Sequence, residues 1–325
     1  MKRLILVCCL MGLRVVTSAP AQSRPATLTS EAVSSGMDQI RRGVIRGRDG
    51  REVFAERSSW KITDDMLRAE DPQIALNLFE PYVKDSSSTV RRMAYTLLRR
   101  TAELHATPPV RQRVVETLLE ERIRHPEEVD SALSVFQREA DFSPAAKDVI
   151  RREMAGDGLR PIDLCGVAQL RDQLPRLGDL LIDETQPTDP GRPIAYRWAT
   201  EGWRARLARA RMGVQEDVQR CIALVDSEPD EKLRVKHLLA DVAYIRQPEA
   251  IRYLQKYLDS DKRFPDDYGV FEGYMRGEAY AHVALRLLRQ CLEGFPPGNK
   301  YVRTWQDVLE AREWMAQQTQ WHIIR

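Results

Sequence analysis

The residue types that most often perform chemistry are present in this chain, but they form no recognisable catalytic or metal-binding motif. The glycine-rich phosphate loops, the paired-histidine zinc motif, the Cys-x-x-Cys pair and the serine-nucleophile elbow are all absent from the sequence. The five histidines are isolated from one another: His105, His125, His237, His282 and His322. Asp259-Ser260-Asp261 resembles the start of a calcium loop, but the glycine and glutamate required later in such a loop are missing. The sequence therefore predicts no catalytic residue, no metal site and no cofactor.

Aromatic side chains in a glycine-containing stretch are the first candidates for recognition. Residues 262–276 read as an insertion between two helices, and the stretch carries Phe264, Tyr268, Phe271 and Tyr274. Aromatic rings on loops suit partner binding because they offer a large contact area. The alternative is that these rings pin the insertion to the helices as a lid.

Arginines at seven-residue intervals are the second candidates. Arg197, Arg204 and Arg211 fall near one line of a predicted helix. They predict either a stripe that binds an anionic ligand or a solvated face that pairs with neighbouring carboxylates.

The tryptophans of the last predicted helix are the third candidates. Trp314 and Trp321 lie nine and sixteen residues after Trp305. At about 100° per residue they would face away from Trp305 if the helix continued that far. Either this tail folds back and caps the preceding hairpin, or Trp314 and Trp321 belong to a partner surface.

The elements that position these residues are predicted to be helical hairpins. A capping residue followed by proline opens a helix at Asp71-Pro72, Thr107-Pro108 and Ser143-Pro144, at intervals of 36 residues. Three sets of apolar residues recur at matching positions and predict the buried face: Ile74, Val110 and Ala146; Leu78, Val114 and Ile150; Tyr82, Leu118 and Met154. A recurring start signal with a recurring buried face is typical of stacked helical repeats.

The chain divides into two predicted blocks of helices. Residues 22–61 read as a flexible leader with one short helix at 37–44, residues 62–183 as N-terminal repeats, 184–193 as a joint, and 194–325 as C-terminal repeats. Helices in the second block are expected at about 194–212, 214–227, 230–246, 248–259, 275–293 and 300–318.

The first hairpin resembles a HEAT/armadillo-type helical repeat. Pro72 to Leu98 has a proline-interrupted first helix and a turn of Asp85 with serines, followed by Val90-Arg91-Arg92-Met93-Ala94. Leu258-Asp259-Ser260-Asp261, with Ala279 and Leu285 to Leu288, is similar to a degenerate copy. The 36-residue interval is shorter than the roughly 40–47 residues typical of that family. The resemblance implies an all-α protein, a right-handed α–α superhelix that binds proteins or peptides and has no shared catalytic residues.

A non-catalytic, exported scaffold is therefore the expected function. Its partner is an unknown protein or peptide, which would contact the second helix of the first unit through Arg92, Thr96 and Arg99. Two alternatives stay open: an enzyme on an α-helical toroid, such as a lyase or glycan-acting protein, and a binder of anionic glycan or membrane surface. A deep pocket lined by convergent acids, histidines or tyrosines would favour the enzyme, and salt-sensitive adsorption would favour the binder.

Export is predicted from the first 21 residues. A basic start, the apolar stretch 4–13 and small residues before cleavage near Ala19 or Ala21 are typical of a secretory signal, which predicts a periplasmic or secreted protein.

The chain has 50 basic and 48 acidic residues. Three of the basic ones lie in that segment, so the remainder is close to neutral. No nucleic-acid partner and no membrane span of the mature chain are expected. Cys165, Cys221 and Cys291 read as buried thiols.

Overall fold

The computed structural model describes residues 28–42, 44–46, 52–54, 71–156, 160–181, 200–264, 279–296 and 304–325. Within these ranges the protein is almost entirely helical, as predicted. The exception is a short antiparallel ribbon of β1 (Val44–Arg46) and β2 (Glu52–Phe54), in which Ile45 lies opposite Val53. The predicted signal segment, the 184–193 joint and most of the insertion lie outside the described residues.

All three predicted proline-opened helices are present. Asp71 accepts a hydrogen bond from the backbone N–H of Gln73, and Ser143 accepts one from Ala146, whereas Thr107 precedes its helix without a side-chain cap. The helices of this block are α1 (Ser30–Arg42), α2 (Pro72–Phe79), α3 (Ser88–Leu104), α4 (Pro108–Arg122), α5 (Pro126–Leu133), α6 (Pro144–Ala155), α7 (Ile162–Val167) and α8 (Leu174–Asp179).

The predicted buried face is right for α4 and α6 but wrong by one residue for α2. Ile74 is 46% exposed, while the neighbouring Ala75 and Leu76 are buried. The α-helix also stops at Phe79 and continues as a 3₁₀ turn (Glu80–Lys84), because Pro81 has no N–H to donate. The positions equivalent to Ile74 in α4 and α6, Val110 and Ala146, are buried as expected.

Part of the predicted leader is ordered structure. Helix α1 is longer than the short helix expected at 37–44, and Val33, Met37 and Ile40 on one of its faces are buried. These three residues recur every three to four positions, the spacing of an amphipathic helix, and α1 packs on α2 and α3. The polar composition of residues 30–35 concealed this helix.

The second block also follows the predicted order of helices. The helices are α9 (Glu201–Arg211), α10 (Gln215–Asp226), α11 (Glu231–Leu233), α12 (Leu239–Ile245), α13 (Pro248–Leu258), α14 (Tyr280–Cys291) and α15 (Trp305–Gln317). Helix α11 continues through a π-helical turn (Arg234–Leu238) into α12 without a break.

Helices pack on their neighbours in chain order. The first helices of successive hairpins contact one another as α2–α4–α6 and α10–α13, and the second helices as α3–α5 and α7–α9–α12–α14. Buried apolar residues form two clusters, one spanning residues 28–212 and the other residues 203–315. Helix α9 contributes to both clusters, so it joins the two blocks.

Arginine–carboxylate pairs connect helices of different hairpins. Arg91 of α3 binds Glu128 of α5 at 2.8 Å, and Arg113 of α4 binds Glu80 at 2.8 Å. The nearly buried Asp217 of α10 accepts from both Arg206 and Arg209 of α9. Much of the arginine excess in this sequence therefore joins neighbouring units.

Helices α7 and α9 approach so closely that only glycine fits at their crossing. A Cβ atom at Gly166 would lie 2.2 Å from the hydroxyl oxygen of Tyr244 and 2.9 Å from the Cα of Ala208. The second of these atoms is backbone and cannot rotate away. This close approach brings the start of α7 against α9 and α12.

The C-terminal tail folds back, which is the first of the two alternatives predicted for it. Helix α15 ends at Gln317, and Ile323 then forms a bridge with Leu292 after α14. Further along, the backbone N–H of Glu139 donates to the carbonyl of Arg325 at 3.0 Å. The tail therefore connects the α14 end with the segment between α5 and α6.

The three predicted thiols are buried, and no disulfide joins them. Burial raises the pKa of Cys165 to about 12 and also raises that of Cys291. Both act as apolar core side chains.

Candidate functional site

A groove of about 470 Å³ is bordered by the second helices α5, α7, α9, α12 and α14. We refer to it as the central groove. Its apolar wall consists of Leu133, Pro161, Leu164, Val167, Trp203, Leu207, Ala240, Ala243 and Leu287. Its polar lining consists of Arg122, Asp130, Ser134, Gln137, Asp163, Arg204, Asp241, Tyr244, Arg246 and Gln290. A volume of this size, with polar groups set in an apolar wall, is typical of a ligand site.

Asp163 and Arg204 form an ion pair at the α7–α9 side of the groove. The Arg204 Nη2 atom donates to Asp163 Oδ2 at 2.6 Å, and its Nε donates to both carboxylate oxygens. Burial would lower the pKa of Arg204, but the hydrogen bond and charge of Asp163 outweigh it, and the pKa is raised. The side chains are 46% and 32% exposed, so the pair faces the groove.

A second pair supports the α5 side of the groove. Arg122 is buried, and its Nε donates to Asp130 at 2.7 Å while its Nη1 donates to Glu153 of α6. Burial raises the pKa of Glu153 despite the opposing charge of Arg122. The outer carboxylate, Asp130, is the member of this set most open to solvent.

Asp241 is the only groove carboxylate with a large pKa shift among the described residues. Its Oδ2 accepts a hydrogen bond from the indole N–H of Trp203 at 2.8 Å. The pKa of Asp241 is raised to about 7, chiefly by burial and also by the nearby charge of Asp163, while Trp203 and Arg204 only partly oppose this. Asp241 therefore changes its protonation state near neutral pH.

The Tyr244 side chain is fixed by its contacts and is not suited to proton transfer. Its hydroxyl donates to the backbone carbonyl of Asp163, and burial raises its pKa strongly. The guanidinium carbon of Arg211 lies 4.7 Å from the centre of its ring. This tyrosine thus joins α7, α9 and α12 at the base of the groove.

The carboxyl ends of the second helices carry a ladder of side-chain to carbonyl hydrogen bonds. Gln169 after α7 donates to the carbonyl of Arg211, Arg211 donates to that of Tyr244 at 2.7 Å, and Arg246 donates to that of Gln290. Each bond satisfies a carbonyl at or next to the end of the next second helix. Within three residues of each of these helix ends lies a residue with positive φ: Gln169, Gly213, Arg246 and Gly294.

Arg211 is not a surface residue, which corrects the predicted arginine stripe. It is 2% exposed, and burial lowers its pKa to about 10. Arg204 does face the groove but is occupied by Asp163, and Arg197 lies outside the described residues. Arg204 and Arg211 therefore do not form one exposed anion-binding line, because α9 is covered on the side that carries Arg211.

Arg92, Thr96 and Arg99 do lie together. They line a second cleft of about 390 Å³ between α3 and α5, opposite Glu127 and Glu128. The nearest carboxylate to Arg99 is that of Glu103, 3.8 Å from its Nε atom. Whether this α3–α5 cleft receives a partner stays a prediction.

The structure describes three of the six predicted aromatic candidates, Phe264, Trp314 and Trp321. Phe264 is 2% exposed and packs edge-on against Tyr280 at 4.8 Å, whereas Tyr268, Phe271 and Tyr274 lie outside the described residues. Trp314 packs on Phe295, and Trp321 lies below the guanidinium group of Arg252. The two tryptophans and Phe264 thus contribute to packing on the second core.

Among the groove residues that sequence reasoning missed are Asp163, Asp241 and Arg246. The groove collects them from α7, α12 and the end of α12, and no linear motif connects these positions. A weak signal was available in Ile245-Arg246-Gln247-Pro248, where a helix must end before the proline that opens α13. Such a position favours a residue with unusual backbone geometry.

The sequence matches no protein-family model, and no curated protein or solved structure is significantly similar to it. Across the described ranges no three His, Cys, Asp or Glu side chains are placed to hold a metal ion. None of the helices that the structure describes combines the length and apolar composition needed to cross a bilayer.

Proposed function

We propose that the protein is an exported scaffold that recognises an extended protein or peptide segment in the central groove. Its helical hairpins would follow one another in a right-handed α–α superhelix of the HEAT/armadillo type. One observation carries the proposal: five second helices, α5, α7, α9, α12 and α14, contribute to a single groove. A groove built by successive units suits an extended chain, because each unit can contact a few of its residues.

The charges of the groove support binding more than catalysis. Asp130 and Asp163 are engaged by Arg122 and Arg204, and the Tyr244 hydroxyl is engaged by a backbone carbonyl. Such groups are fixed in orientation, as a recognition surface requires.

Blocking the groove tests this function. Ala240 is exposed and lines the groove, whereas Ala223 is an exposed alanine of α10 outside it. A photo-crosslinking amino acid at position 240 should capture a discrete partner in the native cell envelope, and the same probe at 223 should not. Ala240→Trp should abolish the association while Ala223→Trp preserves it. Equal capture at both positions, or association that survives Ala240→Trp, would contradict a groove-borne function.

Export is part of the proposal and has its own test. Fractionation of the native cell should place the protein in the periplasm or the medium, with an N-terminus after Ala19 or Ala21. A cytoplasmic protein that retains residues 1–21 would refute it.

A second candidate function is an enzyme that cleaves a glycan by hydrolysis or elimination. It is favoured by Asp241 alone, because a carboxyl group with a pKa of about 7 in a groove suits proton transfer at neutral pH. Incubation with envelope polysaccharides should then release new reducing ends or unsaturated products, and Asp241→Asn should abolish the release. Product release that persists in Asp241→Asn would exclude this residue as the proton donor.

A further inference from the structure

The ionic pairs of the central groove leave two lining charges without an ionic partner. Asp130 pairs with Arg122, and Asp163 pairs with Arg204. Asp241 receives only the neutral indole N–H of Trp203, and Arg246 donates only to the backbone carbonyls of Gln290 and Ile324. Within the part of the chain that the structure describes, these two are the groove charges that form no salt bridge.

Arg246 is the more unusual of the two. It is 3% exposed, its Nε atom has no hydrogen-bond partner, and its backbone adopts φ 54°, in the left-handed region that arginine rarely occupies. Burial and, to a lesser degree, the charge of Arg246 lower the pKa of Arg211, and burial together with the charge of Arg138 lowers the pKa of Arg246 itself. A buried cation with a second cation behind it is unfavourable without an anion. This end of the groove therefore has positive charge available for a carboxylate.

Asp241, by contrast, has negative charge available for a cationic group. Its second carboxylate oxygen has no hydrogen-bond partner in the described chain, and the charged groups around it are Asp163 of α7 and Arg204 of α9. Arg204 is already bound by Asp163, so it neutralises Asp241 only in part. A cationic group entering beside Asp241 would supply the missing charge.

The two residues lie at opposite ends of one helix. Asp241 lies in the first turn of α12 and Arg246 follows its last residue, five positions later. A helix rises about 1.5 Å and turns about 100° per residue, so the two positions are about 7.5 Å apart along the helix axis and leave it in different directions. Both side chains nevertheless line the central groove. The groove therefore carries a negative and a positive group at separate points of its lining.

We propose that the central groove binds an extended peptide segment that carries both a basic and an acidic side chain. The basic side chain lies beside Asp241 and the acidic one beside Arg246. Apolar contacts to Leu207 and Leu287 in the groove wall add affinity. This inference rests on the proposed function, since it presupposes that the groove receives a peptide.

A random peptide display selected on the full chain tests the proposal. Wild-type protein should enrich sequences that contain both a Lys or Arg and an Asp or Glu. Asp241→Asn should lose the preference for the basic residue and keep the acidic one. Arg246→Gln should show the opposite pattern, and Arg246→Lys should retain the acidic preference. For a synthetic peptide of the selected type, each neutralising variant should weaken binding at least tenfold in fluorescence anisotropy.

The outcomes separate this inference from the proposed function. Enriched peptides that lack the charge pair, yet are lost on Ala240→Trp, would overturn the charge-pair inference and leave groove binding intact. Peptides whose binding is unchanged by Ala240→Trp would overturn both. Circular dichroism of each variant identifies misfolding, and Arg246→Lys keeps the test valid if Arg246→Gln unfolds.

Discussion

Replacing Asp241 by asparagine should stabilise the protein, and by an amount that grows with pH. Asparagine has nearly the shape of aspartate, and its carbonyl oxygen can still accept the indole N–H of Trp203. The substitution therefore removes the charge of the ionised form and little else.

The magnitude follows from the pKa of Asp241. In the folded protein this pKa is raised from 3.8 to about 7, chiefly by burial. Below pH 4 the carboxyl is protonated in both folded and unfolded chains, so it has no effect on stability. Between pH 4 and 7 the folded protein holds a proton that the unfolded chain has released, and the free energy of unfolding therefore falls as pH rises. The full difference corresponds to at most about 4 kcal/mol above pH 7.

Urea denaturation at a series of pH values measures the effect. Asp241→Asn and wild type should have similar unfolding free energies near pH 4, and the variant should be more stable by about 2–4 kcal/mol at pH 8.5. Asp259→Asn, at an exposed position after α13, is the matched control and should show no such divergence. A stability difference that is constant with pH, or a variant that is less stable at pH 8.5, would refute the reasoning about burial and about Asp163.

Three further predictions concern packing, the second cleft and thiol reactivity. Gly166→Ala should lower the unfolding free energy by about 1–3 kcal/mol because its Cβ collides with backbone, whereas Gly178→Ala, whose Cβ meets only a side chain, should be tolerated in the same thermal melts. Charge reversal at both Arg92 and Arg99 should leave helicity unchanged in circular dichroism and weaken partner capture in a pull-down; unaltered capture would remove the α3–α5 cleft from the binding surface. Cys165 should resist alkylation at pH 8 in the folded protein and react in urea, as followed by mass spectrometry, because burial raises its pKa to about 12; rapid labelling without denaturant would contradict its burial.

Start signals and periodicity were sufficient to predict most helices. Capping residues with proline act locally, so the beginnings of α2, α4 and α6 could be read directly from the sequence. The exposure of Ile74 could not, because the face that a helix buries depends on its neighbours, and α2 packs against α1 as well as α3. The first part of helix α1 was missed for the same reason: its apolar residues are few, and their burial depends on contact with another hairpin.

The candidate site was less predictable than the fold. Arg204 was identified from its spacing, but its partner Asp163 lies 41 residues away and is brought to it only by the crossing of α7 and α9 at Gly166. The seven-residue spacing of Arg204 and Arg211 indicated one helix face, yet successive hairpins cover the end of α9, so one arginine is exposed and the other is buried. Charge pairing across hairpins has no local signature in the sequence.

The return of the C-terminal tail has a consequence for how the chain folds. Individual hairpins close short loops and can form early, but the hydrogen bond from Glu139 to Arg325 joins segments separated by more than half of the chain. The segment between α5 and α6 therefore gains this native contact only after residue 325 has been synthesised and the tail has packed beside α14. Until then it would remain open to chaperones and proteases even though its own helices have formed.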